Sequence, residues 1–247
     1  MIEISAGTEV AARAGLHAAL AEPHRLAIID ALAIQDLSPG ELGDKTGQPS
    51  NLLAHHVGVL EAAGAVTRRR SDHDGRRAYL SLVWDNPVVA ATAAAGPAPH
   101  GSRVVFVCSA NSARSQIAAS LLHASGIAPV TSAGTEPAKQ IHPLAVAELD
   151  RHGLQPLSPA PASADEVLKP DDLVVAVCDH AYEVLGRGRV SMHWSVADPA
   201  HGDPHAGTAE DFARAFDDIA PRVDRLARSL TQEISLPSRT DDPWTIP

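Results

Sequence analysis

The stretch Asp85–Ser102, with the sequence DNPVVAATAAAGPAPHGS, separates two unlike halves of this 247-residue chain. It is rich in alanine, proline and glycine and has no sustained helical or strand period, which is typical of a linker with a short helix at its start. The chain is long enough to bury two cores. We therefore predict a first domain over residues 1–85, a linker over 86–102, a second domain over 103–232 and a tail over 233–247.

The first half carries the pattern of a helix-turn-helix. Apolar residues at helical spacing predict four helices, over Val10–Leu20, Arg25–Ala33, Glu41–Thr46 and Asn51–Ala63. Ser38, with Glu41 three residues later, forms a capping box at the start of the third helix. We expect Ser50 to cap the fourth helix and Gly64 to end it. The tight turn between the third and fourth helices makes the fourth the recognition helix, the one that enters the groove of DNA.

A β-hairpin follows this pair of helices and forms the wing of a winged helix. Residues 65–70 and 77–83 alternate like strands around the turn Asp72-His73-Asp74-Gly75. Although the whole chain has a net charge of −10, five arginines fall within ten residues of this hairpin. A basic wing beside a recognition helix favours contacts with DNA phosphates over a merely solvated face. The predicted DNA-binding residues are Ser50, Asn51, His55, His56, Arg68, Arg69, Arg70, Arg76 and Arg77.

Three segments of this half, AEPHRLAIIDAL, SNLLAHHVGVLEAAGAV and RRAYLSL, resemble the ArsR family of winged-helix repressors over roughly residues 10–84. The resemblance implies an operator DNA as partner and a homodimer formed through this domain. Arsenite sensors of that family carry a cysteine pair at the start of the helix before the turn. Here Asp36–Leu42 occupies that region and the domain has no cysteine, so the three-thiolate metalloid site is absent and the inducer stays open.

The second half alternates strands and helices. The predicted strands are Arg103–Val107, Val130–Ala133, Leu173–Val177 and Ser191–Trp194, and the predicted helices are Gln116–Ser125, Pro143–His152, Ala164–Val167 and Glu210–Leu230. Alternating βα units predict a central parallel sheet with helices on both faces. The predicted fold is thus two domains, a mostly helical winged helix-turn-helix with a β-hairpin wing and a C-terminal α/β domain.

The loop after the first of these strands has the form Cys-x5-Arg-Ser, from Cys108 to Ser115. Backbone N–H groups at the start of the following helix can cradle a tetrahedral oxyanion. The same positive end favours the thiolate form of Cys108, and Arg114 offers a planar fork to two oxyanion oxygens. Ser115 can donate to the sulfur, and Asn111 suits a left-handed backbone position. The predicted oxyanion-binding residues are Ser109, Ala110, Asn111, Ser112, Ala113, Arg114 and Ser115.

Attack by a sulfur on an oxyanion needs a proton donor for the departing oxygen. Asp198 follows the last predicted strand and lies at the same sheet edge as the Cys108 loop, so it is our candidate acid. An aspartate before a proline is also common in turns, and on its own Asp198 would suggest only that. The presence of the Cys108 loop favours the catalytic interpretation.

The segments FVCSANSARSQIAASLL, TSAGTEPAKQIHPLAVAEL, VVAVCDHAYE and HWSVADPA resemble the low-molecular-weight phosphotyrosine phosphatase fold in its arsenate reductase branch, over about residues 103–230. The resemblance implies that Cys108 is the nucleophile, Arg114 the oxyanion clamp and Asp198 the acid. The Arg-Ser-Gln continuation and the CDHA segment are closer to the reductases. The phosphatases also line their pocket with aromatic residues, and only 3% of this chain is aromatic.

Reduction requires a second thiol, and Cys178 aligns with the first resolving cysteine of the thioredoxin-coupled reductases. Those enzymes carry another cysteine seven residues later, where this chain has Leu185. Either a Cys108–Cys178 disulfide is reduced by a thioredoxin-like partner, or a small thiol such as mycothiol attacks the arsenate adduct of Cys108. Cys178 would otherwise be a buried apolar residue that ends a strand. The catalytic set predicted is Cys108, Arg114, Asp198 and Cys178.

The sequence thus predicts an arsenic-responsive fusion of a DNA-binding regulator with a thiol-dependent arsenate reductase, which uses an external thiol reductant and no bound cofactor. The alternatives are a tyrosine phosphatase with a regulatory head, and a repressor whose second domain senses an oxyanion or redox state without turnover. No metal site is predicted, because His55, His56 and His73 lack ligand spacing, and His201, Asp203 and His205 fit a solvated loop. The start of the chain has no signal peptide and no run is long enough for a membrane span, so we expect a cytoplasmic protein.

Overall fold

The computed structural model describes residues 3–93, 100–203 and 206–235. Part of the predicted linker, His205 and the end of the predicted tail lie outside these residues. The first domain has the order of a winged helix. Its elements are α1 (Glu3–Leu20), α2 (Pro23–Ala31), α3 (Pro39–Thr46), α4 (Ser50–Ala62), β1 (Val66–Arg70), β2 (Ala78–Leu82) and α5 (Pro87–Thr92). The short helix expected at the start of the predicted linker is α5.

The capping of the helix-turn-helix is confirmed at one helix and differs at the other. At α3, Ser38 Oγ accepts from the N–H of Glu41 at 3.3 Å and Glu41 Oε2 accepts from the N–H of Ser38 at 2.7 Å, which completes the predicted capping box. The prediction that Ser50 caps α4 is wrong. Ser50 is already helical, because the fixed φ of Pro49, −59°, directs the chain into the helix one residue earlier, without a side-chain cap.

The second domain is built on a four-stranded sheet whose paired strands are all parallel, in the order β4-β3-β5-β6. Its strands are β3 (Val104–Cys108), β4 (Val130–Gly134), β5 (Leu173–Ala176) and β6 (Met192–His193), and its helices are α6 (Arg114–Ser125), α7 (Pro143–Arg151), α8 (Ala164–Val167), α9 (Asp179–Leu185) and α10 (Ala209–Ser235). The predicted α/β class with a central parallel sheet is confirmed. The carboxyl ends of β3 and β5 place Cys108 and Cys178 at one sheet edge.

Each domain has its own apolar core, but Ile34 and Tyr79 of the first domain pack against the core of the second. Ile28, Leu42 and Leu60 belong to the core of the first domain. Tyr79, on β2 of the wing, instead packs with the core of the second domain and is 1% exposed. Its ring lies edge-on to His193, with 4.4 Å between ring centroids. The two domains therefore share packing as well as a covalent connection.

Hydrogen bonds to Asp36 add to this shared packing. Asp36 is 2% exposed, and its carboxylate accepts from the N–H of Ser195 and from Arg222, each at 2.7 Å. Its own N–H donates to the carbonyl of His193 at 2.7 Å. Nearby, the indole of Trp194 donates to the carbonyl of Ile34 at 2.8 Å. A buried carboxylate with this many donors is satisfied, so these contacts hold the domains in one arrangement.

Within residues 3–93, 100–203 and 206–235, no helix is both long enough and apolar enough to cross a membrane.

Candidate oxyanion-binding site

The loop between β3 and α6 lies at the edge of a cavity of about 440 Å³. Cys108, at the end of β3, lines this cavity although it is only 2% exposed. Ala113 precedes α6 with φ −140° and offers no side-chain cap, so it leaves the first N–H groups of that helix without an acceptor of its own. Such a helix start attracts an anion. The cavity therefore combines a cysteine sulfur with a helix start that suits an oxyanion.

Asn111 fixes the conformation of the Cys108 loop from the side that faces away from the cavity. It has the predicted left-handed backbone, with φ 50°, and is 1% exposed. Its amide nitrogen donates to Ser115 Oγ at 2.8 Å and to Ser132 Oγ at 2.9 Å, and its amide oxygen accepts from the N–H of Ala162 at 2.9 Å. The strain of a left-handed residue is thus offset by a fully used side chain. Asn111 supports the loop and is not part of the cavity lining.

Asn111 fixes the direction in which the hydroxyl of Ser115 donates its hydrogen. Ser115 Oγ lies 3.1 Å from Cys108 Sγ and accepts from the amide of Asn111. Its own hydrogen is then free to donate to the sulfur, as predicted from the sequence. A hydrogen bond to an anionic sulfur stabilises it both as an attacking and as a leaving group.

The segment after β4 braces the other side of the loop. The N–H groups of Thr135, Glu136, Ala138 and His142 donate in turn to the carbonyls of Cys108, Ser109, Ala110 and Ser112, at 2.8 to 3.1 Å. Gly134 lies against the same loop. A Cβ at Gly134 would come within 2.7 Å of the carbonyl oxygen of Ser109, so only glycine fits there. The loop is consequently fixed by its neighbours before any ligand binds.

Arg114 and Asp198 form an ion pair at the wall of the cavity. Arg114 is 6% exposed, and its guanidinium donates to the carbonyl of Val196 at 3.0 Å and lies 3.2 Å from a carboxylate oxygen of Asp198. Burial alone would lower the pKa of Arg114, but Cys178, Asp198 and Cys108 outweigh it and raise that pKa. Arg114 therefore stays a cation, ready to exchange the carboxylate for an oxyanion.

Cys178 lines the same cavity and is 1% exposed. Its sulfur caps α9 by accepting from the N–H of Ala181 at 3.3 Å. Burial raises the pKa of Cys178 to about 11, opposed by the charge of Arg114 and assisted by the neighbouring Cys108. Neither cysteine is in a disulfide. The cavity thus holds two reduced thiols, and Cys178 is in its neutral form at neutral pH.

Sequence reasoning missed the contribution of the wing to this cavity. Asp72 and His73, in the turn of the wing, line it together with Cys108 and Arg114. The carboxylate of Asp72 accepts from the N–H of Asp198 at 3.3 Å. The only signal in the sequence was the position of these residues in a hairpin turn, and no local pattern links that turn to a loop more than thirty residues away.

Arg69 contacts the second domain, which corrects its predicted role at DNA. Its guanidinium donates to Asp179 at 2.7 Å and to the side chain of Ser195 at 2.8 Å, and Asp179 has no exposed side-chain surface. Asp179 also accepts from His193, whose Nε2 lies 3.0 Å away. Burial would raise the pKa of Asp179, but the hydrogen bond from His193 and the charge of Arg69 lower it below the ordinary value. Arg69 is therefore already neutralised.

His56 also differs from its predicted role, since it points into the protein and is only 7% exposed. Its burial is set by helical spacing, because it shares a face of α4 with the buried Leu53 and Leu60. The remaining predicted DNA-binding residues lie at the surface, where their predicted contacts stay a prediction. They are Ser50, Asn51, His55, Arg68, Arg70, Arg76 and Arg77.

Comparison with known proteins finds a separate match in each half of the chain. Residues 103–236 match the low molecular weight phosphotyrosine protein phosphatase family, and residues 20–69 match a helix-turn-helix domain. An arsenate reductase of Halalkalibacterium halodurans is 32% identical over 136 residues, which are 51% of this chain and 95% of that protein. The nodulation protein NolR of Rhizobium meliloti is 35% identical over 72 residues, 29% of this chain and 57% of NolR.

Solved structures give similar matches to the second domain. The arsenate reductase of Archaeoglobus fulgidus is 31% identical, with a TM-score of 0.43 over 51% of this chain and 99% of its own. The YwlE arginine phosphatase of Geobacillus stearothermophilus is 24% identical, with a TM-score of 0.47 over 55% and 95%. The predicted fusion of a helix-turn-helix with a phosphatase-like domain is confirmed. Because its family match covers more than half of the 247 residues, the chain belongs to the low molecular weight phosphotyrosine protein phosphatase family.

Proposed function

We propose that this protein reduces arsenate to arsenite through Cys108 and binds operator DNA through its winged helix. The observation that carries the reductase half is the joint presence of Cys108 and Cys178 in one cavity with Arg114 and Asp198. A phosphatase needs one sulfur, an arginine and an acid, whereas reduction also needs a thiol that can reach the first sulfur. The sequence similarity to the arsenate reductase of Halalkalibacterium halodurans supports the same assignment.

The first step is a displacement with no change of oxidation state. Arsenate binds the guanidinium of Arg114 in place of the carboxylate of Asp198. In the structure that carboxylate lies 3.2 Å from the guanidinium. The thiolate of Cys108 attacks arsenic, a sulfur–arsenic bond forms, and one arsenic–oxygen bond breaks. Arsenate enters as dihydrogen arsenate. Asp198 takes the proton of one arsenic hydroxyl and passes it to the departing hydroxyl, which leaves as water. Ser115 stabilises the sulfur before attack through its hydrogen bond.

The second step transfers two electrons. A thiolate attacks Cys108 Sγ, a disulfide forms, and the electrons of the sulfur–arsenic bond pass to arsenic, which leaves as arsenite. Burial and the neighbouring Cys108 hold Cys178 as a thiol at rest, while Arg114 favours its thiolate. Once the Cys108 sulfur is bonded to arsenic its negative charge is gone, so Cys178 ionises more readily then. Cys178 is thereby prevented from reacting before the adduct forms.

The disulfide must be reduced from outside the chain. We propose a thioredoxin-like partner for a Cys108–Cys178 disulfide, or mycothiol with its glutaredoxin-like partner if the small thiol attacks the adduct itself. Comparison of the wild-type protein with Cys108→Ser and Cys178→Ser, each supplied with arsenate and either reductant system, distinguishes the two routes. Cys108→Ser should form no arsenite. Cys178→Ser should lose thioredoxin-dependent turnover and keep turnover with mycothiol only if the second route operates.

Phosphatase activity is the second candidate function, because the family to which the chain belongs is defined by it and the loop fits a phosphoryl group equally well. The same three proteins should therefore be assayed with an aryl phosphate. Strong hydrolysis by the wild type, with no arsenite under either thiol system, would overturn the reductase proposal. If neither reaction occurs although arsenate binds, the second domain is a sensor without turnover.

The DNA-binding half rests on the helix-turn-helix match and on the exposed arginines of the wing. We propose that the protein binds DNA as a homodimer through the first domain. Asp72 lines the cavity while Arg68 and Arg70, on the same hairpin, face solvent. A ligand that moves Asp72 thus acts on the element that approaches DNA, and the two binding events are reciprocally linked.

A further inference from the structure

Two histidines and one glutamate form a cluster where the corner between α1 and α2 meets α4. Glu22 is the N-cap of α2, His24 lies in the first turn of that helix, and His56 projects from α4. One carboxylate oxygen and one nitrogen from each ring lie within 4.8 Å of one another. Glu22 and His56 are far apart in the sequence, so no ligand spacing revealed the cluster.

His56 has a buried nitrogen that the protein itself does not satisfy. Its side chain is 9% exposed, and its Nδ1 lies 3.6 Å from Glu22 Oε2, too far for a hydrogen bond. Among the residues that the structure describes, this nitrogen has no hydrogen-bond partner. A buried polar atom without a partner costs free energy, so its retention calls for a ligand that supplies the missing bond.

The other two side chains are placed to complete such a site. His24 Nδ1 lies 2.7 Å from Glu22 Oε1, and the rings of His24 and His56 stack with 5.4 Å between centroids and 9° between planes. Glu22 accepts from the N–H groups of His24 and Arg25 at 3.1 and 2.9 Å. A carboxylate has about four lone-pair sites, so Glu22 can cap α2 and still bind a ligand.

We propose that Glu22, His24 and His56 bind one divalent cation of the zinc class. Two imidazole nitrogens and a carboxylate oxygen suit Zn²⁺, Co²⁺ or Ni²⁺, whereas Mg²⁺ and Ca²⁺ prefer oxygen alone. Ligand atoms of a tetrahedral zinc lie about 3.3 Å apart, as bonds of about 2.0–2.1 Å require. The side chain of His24 is 55% exposed and free to make the small rotation that this needs. Water would complete the coordination.

The site would join the start of α2 to the recognition helix. His56 lies on α4 next to His55, one of the exposed residues predicted to contact DNA. A metal held by His56 and by two residues of the α1–α2 corner would fix α4 relative to α2. Bound metal should therefore stabilise the first domain against unfolding.

The test is a metal titration of the untagged full-length chain in a Cys108→Ser, Cys178→Ser background, which removes thiol ligands. Co²⁺ is the probe, because a four-coordinate cobalt site absorbs visible light strongly, and Zn²⁺ competition gives the affinity. We expect one equivalent to bind. Loss of a ligand in His24→Gln or His56→Gln should weaken binding by about tenfold or more. The matched control is His55→Gln, on the same helix, which should bind as the parent does.

His24→Gln decides the matter if His56→Gln fails to fold, because His24 is exposed and its loss leaves the core unchanged. Equal affinity in His24→Gln and the parent would overturn the proposal, as would the absence of any bound equivalent. Nuclear magnetic resonance of the histidine side chains provides an independent readout. Zn²⁺ should shift Nδ1 of His56, and metal binding that leaves this nitrogen unshifted would place the ion elsewhere.

Discussion

At the scale of single residues, the site depends on side chains that act on one another before they act on a ligand. Asn111 donates to Ser115, and this leaves the hydroxyl hydrogen of Ser115 to Cys108. The two side chains are buried, so each hydrogen bond is made without competition from water. The sulfur of Cys108 is therefore reached by a chain of two hydrogen bonds that starts at Asn111.

We predict that Ser115→Ala lowers the rate at which Cys108 reacts. A hydrogen bond to an ionised group contributes about 1.5–3 kcal/mol, so the loss should be about 10- to 100-fold at neutral pH. The rate of alkylation by iodoacetamide and the single-turnover rate with arsenate both measure it. Ser120→Ala is the control, because Ser120 lies on the same helix and donates to the carbonyl of Gln155. An unchanged Ser115→Ala rate would show that the sulfur needs no such donor.

At the scale of elements, the loop and the strand ends decide the geometry of the site. The segment after β4 runs along the Cys108 loop and donates four backbone hydrogen bonds to it. Gly134 is the point at which the two backbones come closest. These hydrogen bonds order the Cys108 loop before an anion binds. Anion binding therefore carries no entropic cost of ordering the loop.

The substitution Gly134→Ala should push the Cys108 loop away from the segment after β4. The added Cβ would lie 2.7 Å from the carbonyl oxygen of Ser109 and 2.9 Å from the nitrogen of Asn111, both of which are backbone atoms that cannot turn aside. We expect unfolding to become easier by about 1–3 kcal/mol and phosphate binding to weaken. Urea denaturation and calorimetry with inorganic phosphate measure the two effects. Gly188→Ala is the control, since a Cβ there meets nothing within 4 Å; equal behaviour of the two variants would contradict the prediction.

Local patterns predicted most of these elements, and the failures have local causes too. The capping box of Ser38 and Glu41 is visible from the sequence because its two partners are three residues apart. Helix α9 is missing from the predicted helices, because its cap is the sulfur of Cys178, an uncommon capping atom. The start of α4 was misplaced by one residue because Pro49 replaces a side-chain cap.

At the scale of the whole molecule, the wing belongs to both domains. Its outward face carries Arg68 and Arg70, and Val66 and Leu80 pack in the core of the first domain. Arg69, Asp72 and Tyr79 contact the second domain. No sequence pattern could indicate these contacts, because each joins residues more than a hundred positions apart with no shared period. The sequence therefore predicted the two folds and the place of the Cys108 loop between a strand and a helix, and missed the surface along which the folds meet.

The arginines of the wing should differ in their effect on DNA binding. Arg68→Ala and Arg70→Ala should each weaken binding to a nonspecific duplex and lower its salt dependence, by about 0.9 in the logarithmic slope for each phosphate that is no longer neutralised. Arg69→Ala should leave the slope nearly unchanged, because the partner of Arg69, Asp179, is fully buried. The pair between Arg68 and Glu61 is solvent-exposed, so Arg68 can exchange it for a phosphate. Fluorescence anisotropy at several salt concentrations measures the slope. Equal slopes in all three variants would mean that Arg69 leaves Asp179 when DNA binds.

The contact between the domains should be sensitive to acid. Arg69 and His193 hold the pKa of Asp179 below its ordinary value, so the stability that this carboxylate contributes is present above the ordinary aspartate pKa, about 4. It is lost as the pH falls through the lowered pKa. Asp179→Asn should remove this part of the pH dependence. Urea titrations followed by tryptophan fluorescence, to which Trp194 at the interface contributes, measure it.

The control for this acid sensitivity is Asp165→Asn, because Asp165 is 86% exposed and its ion pair with Arg189 is long, at 3.8 Å. Its pH profile should match that of the wild type. If Asp179→Asn keeps the wild-type profile as well, another carboxylate at the interface carries the effect, and the assignment to Asp179 is wrong.

The position of Tyr79 has a consequence for the two halves as separate molecules. Its ring fills a place in the core of the second domain, and its hydroxyl donates to Glu183 at 2.8 Å. A second domain produced alone would have an open slot and an unpartnered carboxylate at this point. Two fragments, the first ending and the second starting within the linker, should consequently bind each other when they are expressed together. Their complex should rebuild the cavity, because Tyr79 of the first fragment fills the open place in the core of the second.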